Sequence, residues 1–269
     1  MAGCKCEGDR SRGPVMIVAI HQPNFLPWSG FFHKLFSVQT FILLDNVPFT
    51  KNGYQNRVKI KTAQGDQWLT VPVLTTGRFG QLTHQVEIDT SKPWERVHLR
   101  TLRTNYHRAP YYDQVMACLK QYYQKSQTKL ADFNMTLIKA IVDYLEVSTE
   151  LVLASTLVEE KSGPELLLNL VEAVSGNVYL SGASGRDYLD VSNFECRGVD
   201  VRFQEFQHPI YPQLYGDFIP GLSIIDMLMN VDPSEARAYL WPKSVGNSDR
   251  ETEAAVTHQG MKVKKAQTW

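Results

Sequence analysis

The sequence has no excess of charge of either sign. Its 269 residues include 28 Lys and Arg against 28 Asp and Glu, so the formal net charge at pH 7 is zero. A polyanion such as a nucleic acid, or an anionic membrane surface, would therefore meet no overall attractive field. Binding of any charged molecule has to depend on a local cluster of side chains.

Long apolar runs are also missing, since no stretch approaches the roughly 18 residues that a membrane-spanning helix needs. Residues 1–15 lack the apolar segment of a secretory signal and are expected to form a disordered extension. The polar, non-periodic stretch over 241–269 predicts a disordered tail. We therefore expect one α/β domain over 16–240, in the cytoplasm, with no membrane span and no nucleic-acid partner.

Cysteine is scarce, with four copies in the chain. Cys4 and Cys6 lie too close in sequence for an unstrained bridge, and Cys118 and Cys196 have no framework spacing. A reduced, cytosolic setting follows from this usage. The sequence also lacks a G-x-S-x-G elbow, a G-x-x-x-x-G-K-[ST] loop, an H-E-x-x-H motif and a paired C-x-x-C. A serine hydrolase, a P-loop kinase and a structural zinc site are thereby disfavoured.

Strand and helix patterns alternate in two parts of the chain, residues 16–45 and 149–182. Two short apolar runs, MIVAI (16–20) and TFILLD (40–45), flank a segment with helical spacing. A second series of strand, helix and strand follows over 149–182. Strands joined by helical crossovers are usually parallel neighbours. The fold class predicted is α/β, with a mixed, largely parallel sheet and flanking helices.

The middle of the chain adds three further elements. Residues 56–73 alternate around AQGD and predict a β-hairpin that adds to or flanks the sheet. HQVEID (84–89) predicts another strand. Residues 94–145 are helix-rich and predict a helical insertion.

The loop after the first strand, HQPNFLPWSG, concentrates polar and ring side chains. Pro23 and Pro27 stiffen it, Gly30 permits a close approach of backbone, and the following helix offers free N–H groups to an anion. His21 is a candidate general base. The alternative is a proline-braced turn around a satisfied histidine. The candidate substrate-binding residues of this loop are Gln22, Asn24 and Trp28.

A second polar group begins where the second apolar run ends. If the first two strands are adjacent and parallel, His21 and Asp45 meet at the carboxyl edge, where open α/β sheets bind ligands. Arg57 and Lys51 would then supply positive charge for a phosphate. The alternative is that basic residues mark only the solvent-exposed face of the hairpin. The candidates here are Asp45 as a catalytic residue, with Lys51, Gln55, Asn56 and Arg57 as binding residues.

Two later segments have the composition of ligand loops. YLSGASGRDYLD (179–190) contains a small-residue turn that can wrap an anion with backbone and hydroxyl donors, although ordinary tight turns use the same residues. FQHPIYPQ (206–213) is broken by prolines and rich in hydrogen-bonding rings, and it carries His208 as a second candidate general base. The remaining candidate binding residues are His98, Ser181, Gly182, Ser184, Arg186, Tyr188, Tyr211 and Gln213.

In this order and spacing, these motifs resemble the WbqC-like protein family from about Met16 to Tyr239. The resemblance implies a bacterial-type cytosolic protein encoded with surface-polysaccharide and O-antigen genes, where nucleotide-linked sugars are made and decorated. It places the following residues in the family's four motifs: His21, Gln22, Pro23, Pro27, Trp28 and Gly30; Asp45, Gln55, Asn56 and Arg57; Ser181, Gly182 and Tyr188; His208, Pro209, Tyr211 and Gln213.

The function predicted is that of a transferase in surface-polysaccharide biosynthesis. We expect acyl or aminoacyl transfer to an amino group of a nucleotide-linked sugar, with His21 or His208 as general base and Asp45 orienting it. Arg57 with Lys51 would hold phosphate. The alternatives are a non-catalytic module that binds a glycan or a biosynthetic complex, and a nucleotidyltransferase-like enzyme. The expected partner is a small-molecule substrate such as a nucleotide-linked sugar; the residues identify no metal site, no cofactor and no oligomeric state.

Overall fold

The computed structural model describes residues 14–124, 127–159, 163 and 165–241. Most of the predicted extension (1–15) and of the predicted tail (241–269) therefore lies outside the described residues. The domain expected over 16–240 stays a prediction. Among the helices of the described ranges, none is both long and apolar enough to cross a membrane.

The centre of the fold is a five-stranded sheet in which every pair of neighbouring strands is parallel. The strands of the described residues are β1 (Ile17–His21), β2 (Thr40–Leu43), β3 (Arg57–Thr62), β4 (Gly65–Thr70), β5 (Glu150–Leu153), β6 (Val178–Ser181) and β7 (Asp200–Phe203). The large sheet has the order β5-β2-β1-β6-β7, whereas β3 and β4 form a separate antiparallel hairpin. The predicted α/β fold with a largely parallel sheet is confirmed.

Helices pack on both faces of this sheet. The α-helices of the described residues are α1 (Ser29–Phe36), α2 (Trp94–Tyr106), α3 (Tyr112–Tyr123), α4 (Leu130–Tyr144), α5 (Leu166–Ala173), α6 (Val191–Cys196), α7 (Ile224–Asn230) and α8 (Pro233–Leu240). The prediction of a helix-rich segment over 94–145 is confirmed by α2, α3 and α4. The hairpin flanks the large sheet and adds no strand to it.

Strand β1 is held from both faces because its side chains alternate between two apolar cores. Val18 and Ile20 pack in one cluster with Leu170 of α5. Ala19, between them, packs in the other cluster with Phe31 of α1. Burial of a large apolar side chain contributes roughly 1.5–3 kcal/mol. The end of β1 is therefore a fixed platform for the loop that follows it.

The order in which the chain adds strands to the sheet reverses beside β1. From β1 it builds outward through β2 to β5, and it then returns to place β6 on the other side of β1, with β7 beyond it. The register pairs Val18 with Thr40 of β2 on one side and with Tyr179 of β6 on the other. Such a reversal opens a crevice at the carboxyl ends of the two strands, because the loops leaving them go to opposite faces.

The strand predicted over 84–89 is wrong. Thr83–Gln85 form a turn of 3-10 helix, and beyond it Glu87 and Ile88 make only isolated bridges. The backbone N–H of Thr83 donates to Val47 O and that of His84 to Asp45 O. Because these donors are used by the loop after β2, they are not available for a strand ladder.

A buried polar cluster ties the loop after β7 to the hairpin and to α7. We call Lys61, Tyr106, Tyr211, Gln213 and Asp226 the Asp226 cluster. The hydroxyl groups of Tyr106 and Tyr211 donate to the two carboxyl oxygens of Asp226, each at 2.9 Å. Lys61 Nζ donates to Gln213 Oε1 at 2.9 Å. Burial raises the pKa of Asp226, and its two hydroxyl partners satisfy the oxygens that water cannot reach.

We expect Tyr211→Phe to lower the free energy of unfolding by about 1–3 kcal/mol, because it leaves one carboxyl oxygen of Asp226 buried without its donor. Tyr239→Phe is the matched control, since the Tyr239 hydroxyl donates to Glu235 at the surface and its loss should cost little. Urea unfolding of the two variants measures the difference. Equal stabilities would contradict a structural role for the Asp226 cluster.

Candidate functional site

A cavity of about 590 Å³ opens at the carboxyl edge of the sheet, where the strand order reverses. Its size falls in the range of small-molecule sites. Leu44, Leu167 and Tyr179 contribute to its wall, but most of the wall comes from four segments: the end of β1, α1 with the turn before it, and the loops after β6 and β7. The residues that they contribute are Ile20, His21 and Gln22; Trp28, Gly30, Phe31 and Lys34; Gly182, Ala183, Ser184 and Tyr188; Gln204, Phe206 and His208.

The turn into α1 presents an aromatic wall to this cavity. Leu26 has a φ of 40°, a conformation that few side-chain-bearing residues adopt. The Trp28 ring lies 5.0 Å from the His208 ring and 5.4 Å from that of Phe206, centroid to centroid. Gly30 lies beneath the indole, since a Cβ built on it would come 2.2 Å from Trp28 Cη2. The glycine is therefore required for the position of the tryptophan ring.

The loop after β1 is held in place by distant parts of the chain. The Asn134 side chain donates to Pro23 O and to Gln55 O, both at 2.7 Å. The Ser223 hydroxyl donates to Leu26 O at 2.8 Å. These bonds fix a backbone segment that belongs to neither a strand nor a helix. Asn134 is fully buried in α4. Its role could not be predicted, because in the sequence it is a single polar residue within a helical pattern.

Two histidines line the cavity, and burial lowers the pKa of both. The pKa of His21 falls to about 3, through burial first and then through the charge of Lys34. Its Nδ1 donates to Gln22 O at 3.0 Å, so the neutral ring keeps an unprotonated Nε2. Burial also lowers the pKa of His208, whose Nδ1 lies 3.5 Å from Ser29 Oγ. Both rings are neutral at pH 7 and able to accept a proton.

Lys34 is a cavity residue that the sequence prediction missed. Its side chain is 3% exposed and its Nζ donates to Ile20 O at 3.0 Å. Burial lowers its pKa to about 7. The signal that could have found it is the spacing of Gly30 and Lys34, which lie four residues apart on one face of α1.

Asp45 does not line the cavity. It is 1% exposed, and its carboxyl oxygens accept hydrogen bonds from Ser155 N at 2.8 Å and Ser155 Oγ at 2.6 Å. The carboxyl group thus joins the segment after β2 to the turn after β5, on the side of β2 away from β6. A catalytic role for Asp45 stays a prediction, without a contact to His21 in the described structure.

The predicted binding residues around the hairpin also lie outside the cavity. Arg57 places its guanidinium over the Trp68 ring at 4.1 Å. Gln55 Nε2 donates to Thr83 Oγ1 at 3.1 Å, and Asn56 Nδ2 donates to Val71 O at 3.1 Å. Lys51 is exposed and lies in the loop between β2 and β3. The structure therefore does not bring this basic group together with His21 and His208.

His98 is part of an aromatic core, away from the cavity. Its ring packs edge-on against Trp94, and Nε2 donates to Thr70 O at 2.8 Å. Burial lowers its pKa to about 4. Among the other predicted site residues, those that line the cavity are His21, Gln22, Trp28, Gly182, Ser184, Tyr188 and His208, and those that do not are Asn24, Lys51, Gln55, Asn56, Arg57, Ser181, Arg186, Tyr211 and Gln213.

A metal site has no support in the side-chain arrangement. Within the ranges that the structure describes, no three His, Cys, Asp or Glu side chains are grouped closely enough to hold a metal ion. The polar groups that the described side chains bring to the cavity wall are imidazole, ammonium, amide and hydroxyl groups.

We expect Gly30→Ala to lower the free energy of unfolding by about 1–3 kcal/mol, because the added methyl group collides with the Trp28 ring. In a Trp28→Ala background the same change should cost little, since the clash is gone. Urea unfolding of the two single variants and the double variant gives the coupling energy. Additive costs would contradict the packing of Trp28 on Gly30.

The buried His98 should make stability depend on pH. Its folded pKa of about 4 lies below the ordinary value of 6.5, so its contribution is complete above pH 6.5 and is lost as the pH falls toward 4. The loss per pH unit approaches about 1.4 kcal/mol for one proton. We expect His98→Gln to show a shallower decline than the wild type in urea unfolding between about pH 7 and 5. Identical slopes would contradict the neutral, buried state of His98.

Comparison with known proteins gives two matches. The family model described as the WbqC-like protein family matches residues 22–238. The uncharacterized protein Rv1507c of Mycobacterium tuberculosis is 37% identical over 225 residues, which cover 83% of this chain and 96% of the relative. No solved structure matches the chain significantly. The range matched by the family model includes every cavity residue except Ile20 and His21.

Proposed function

This chain belongs to the WbqC-like protein family, and we propose that it transfers an acyl or aminoacyl group to an amino group of a nucleotide-linked sugar in surface-polysaccharide biosynthesis. The reaction takes place in the cytoplasm, in the cavity at the carboxyl edge of the sheet. The observation that carries the proposal is the convergence of three separate sequence motifs on that cavity, whose lining includes both His21 and His208.

The chemistry needs a base for the acceptor amine. As the amine nitrogen bonds to the carbonyl carbon of the donor, the bond from that carbon to its leaving group breaks. The proton released from the amine passes to His208 and then to the leaving group. His208 is preferred to His21 because a group with a pKa of about 3 is a weak base. The Ser29 hydroxyl beside His208 Nδ1 orients the ring.

The remaining wall suits a sugar-bearing substrate. Trp28 and Phe206 present ring faces and edges, against which the apolar side of a sugar ring can pack. The hydroxyl groups of Ser184 and Tyr188 line the same cavity and offer hydrogen bonds to the sugar.

A second candidate function is glycan binding without turnover. It is favoured by the same aromatic wall, because stacking of sugars on rings needs no base. In that case His208 contributes to binding alone.

The test is turnover by the purified full chain. Amino-sugar nucleotides are incubated with acyl or aminoacyl thioesters, and products are identified by mass spectrometry. We expect His208→Ala to lower kcat/KM about 100-fold or more, as loss of a general base does. His107→Ala is the matched control, since His107 is exposed and its Nδ1 donates to Arg103 O at 3.1 Å at the C-terminal end of α2, away from the cavity residues.

The outcomes separate the candidates. A His208→Ala variant with wild-type turnover would contradict the general-base role. Saturable binding of a sugar nucleotide without product, unchanged by any donor, would replace transfer by the binding function. Absence of both binding and turnover would contradict the proposal as a whole.

A further inference from the structure

The floor of the cavity holds a cation that the transfer chemistry above does not use. Lys34 lines the cavity although its side chain is 3% exposed. The small part of the Lys34 side chain that solvent can reach is therefore the part that faces the cavity. A lysine so deeply buried is unusual, because the charged form loses most of its hydration.

The ammonium group of Lys34 has unused hydrogen-bonding capacity. It carries three N–H donors, and Ile20 O accepts from it at 3.0 Å. In the described part of the chain, no ion pair within 4.0 Å includes Lys34. The Phe41 ring centroid lies 5.9 Å from Nζ and offers a cation–π contact, but a buried charge without a counter-charge is costly.

We propose that Lys34 binds the oxyanion of the substrate, a phosphate or carboxylate group that enters the cavity and supplies the missing negative charge. The proposal rests on the proposed function, because it assigns an anionic substrate to the same cavity. Gly182 borders the space beside the ammonium group, since a Cβ on this residue would lie 4.0 Å from Lys34 Nζ, and a larger side chain there would reach into that space. The amide of Gln22 lines the same cavity and can donate to the anion as well.

Lys34 takes the phosphate-binding role that the sequence predicted for Arg57 and Lys51. The Arg57 guanidinium lies over Trp68, and Lys51 is exposed outside the cavity. A lysine acts on an anion as a point charge, whose strength rises where water is excluded. A buried ammonium is therefore better placed than either of these residues to hold a charged substrate.

Binding of an anion should be accompanied by uptake of a proton. Burial lowers the pKa of Lys34 to about 7, so at about pH 8 most of the free protein carries a neutral amine, and the anion restores the charged form. Other titratable groups of the cavity wall are His21 on β1, Tyr179 on β6, and Tyr188 and His208 on loops. Burial keeps both histidines neutral at that pH and raises the pKa of Tyr179.

The experiment is titration calorimetry of the full chain with inorganic pyrophosphate and with malonate, in two buffers of different ionisation heat at about pH 8. We expect the wild type to bind one of the two anions with uptake of a substantial fraction of a proton. Lys34→Met should weaken that binding at least tenfold and abolish the proton uptake. Gly182→Val should weaken it while the lysine remains, because the added side chain occupies the space in front of Nζ.

Two further lysine variants complete the comparison. Lys139→Met removes an exposed lysine of α4 and should bind as the wild type does. Lys51→Met tests the lysine that the sequence favoured, and it should also bind normally. Tighter binding of pyrophosphate identifies a phosphate-bearing substrate, and tighter binding of malonate identifies a carboxylate-bearing one.

Three results would overturn the proposal. They are wild-type affinity in Lys34→Met, loss of binding in Lys51→Met alone, and absence of binding of either anion to the wild type at about 10 mM, the range of very weak ligands. If Lys34→Met does not fold, wild-type affinity in Gly182→Val overturns it instead. The calorimetric assay does not depend on turnover. Binding that depends on Lys34, without any transfer activity, would therefore contradict the proposed function but support the anion site.

Discussion

The parallel pairing of β1 with strands on both sides is the constraint on which the cavity depends. β2 and β6 pair with opposite edges of β1, and the order of the strands reverses there. The loops that follow neighbouring strands at this point diverge and leave a gap above the carboxyl end of β1. Val18 and Ile20 are buried on one face of the sheet and Ala19 is buried on the other, which fixes the position of the carboxyl end of β1. His21 and the cavity floor follow from the sheet geometry, whereas the walls come from loops.

Hydrogen bonds from polar side chains far apart in sequence hold those loops in place. Asn134 and Ser223 bind the backbone after β1, and the Asp226 cluster binds the loop that carries His208. Asn134, Ser223, Tyr211 and Asp226 are buried, so their hydrogen bonds are made where leaving a donor or acceptor unpaired would be costly. A site formed by irregular backbone thereby gains the stiffness that positioning of a substrate requires.

The sequence predicted the strands and the motifs better than it predicted which side chains meet. Apolar runs identified β1 and β2, and the polar end of β1 drew attention to His21, which lines the cavity. Asp45 could not be placed in the same way, because β2 lies between β1 and β5 and the residue at its end turns to Ser155. Lys34 was missed for a related reason. Helical periodicity shows which face of α1 it occupies, but the elements opposite that face come from residues about 150 positions later.

The Asp226 cluster also bears on the order in which the protein matures. Its aspartate is on α7, near the end of the described chain, and it secures the loop of His208 through Tyr211. The first strand of the cavity leaves the ribosome early, but its opposite wall cannot be anchored until α7 has been synthesised. A nascent chain therefore has no finished pocket for most of its translation, and premature termination before α7 would yield a sheet without a competent site.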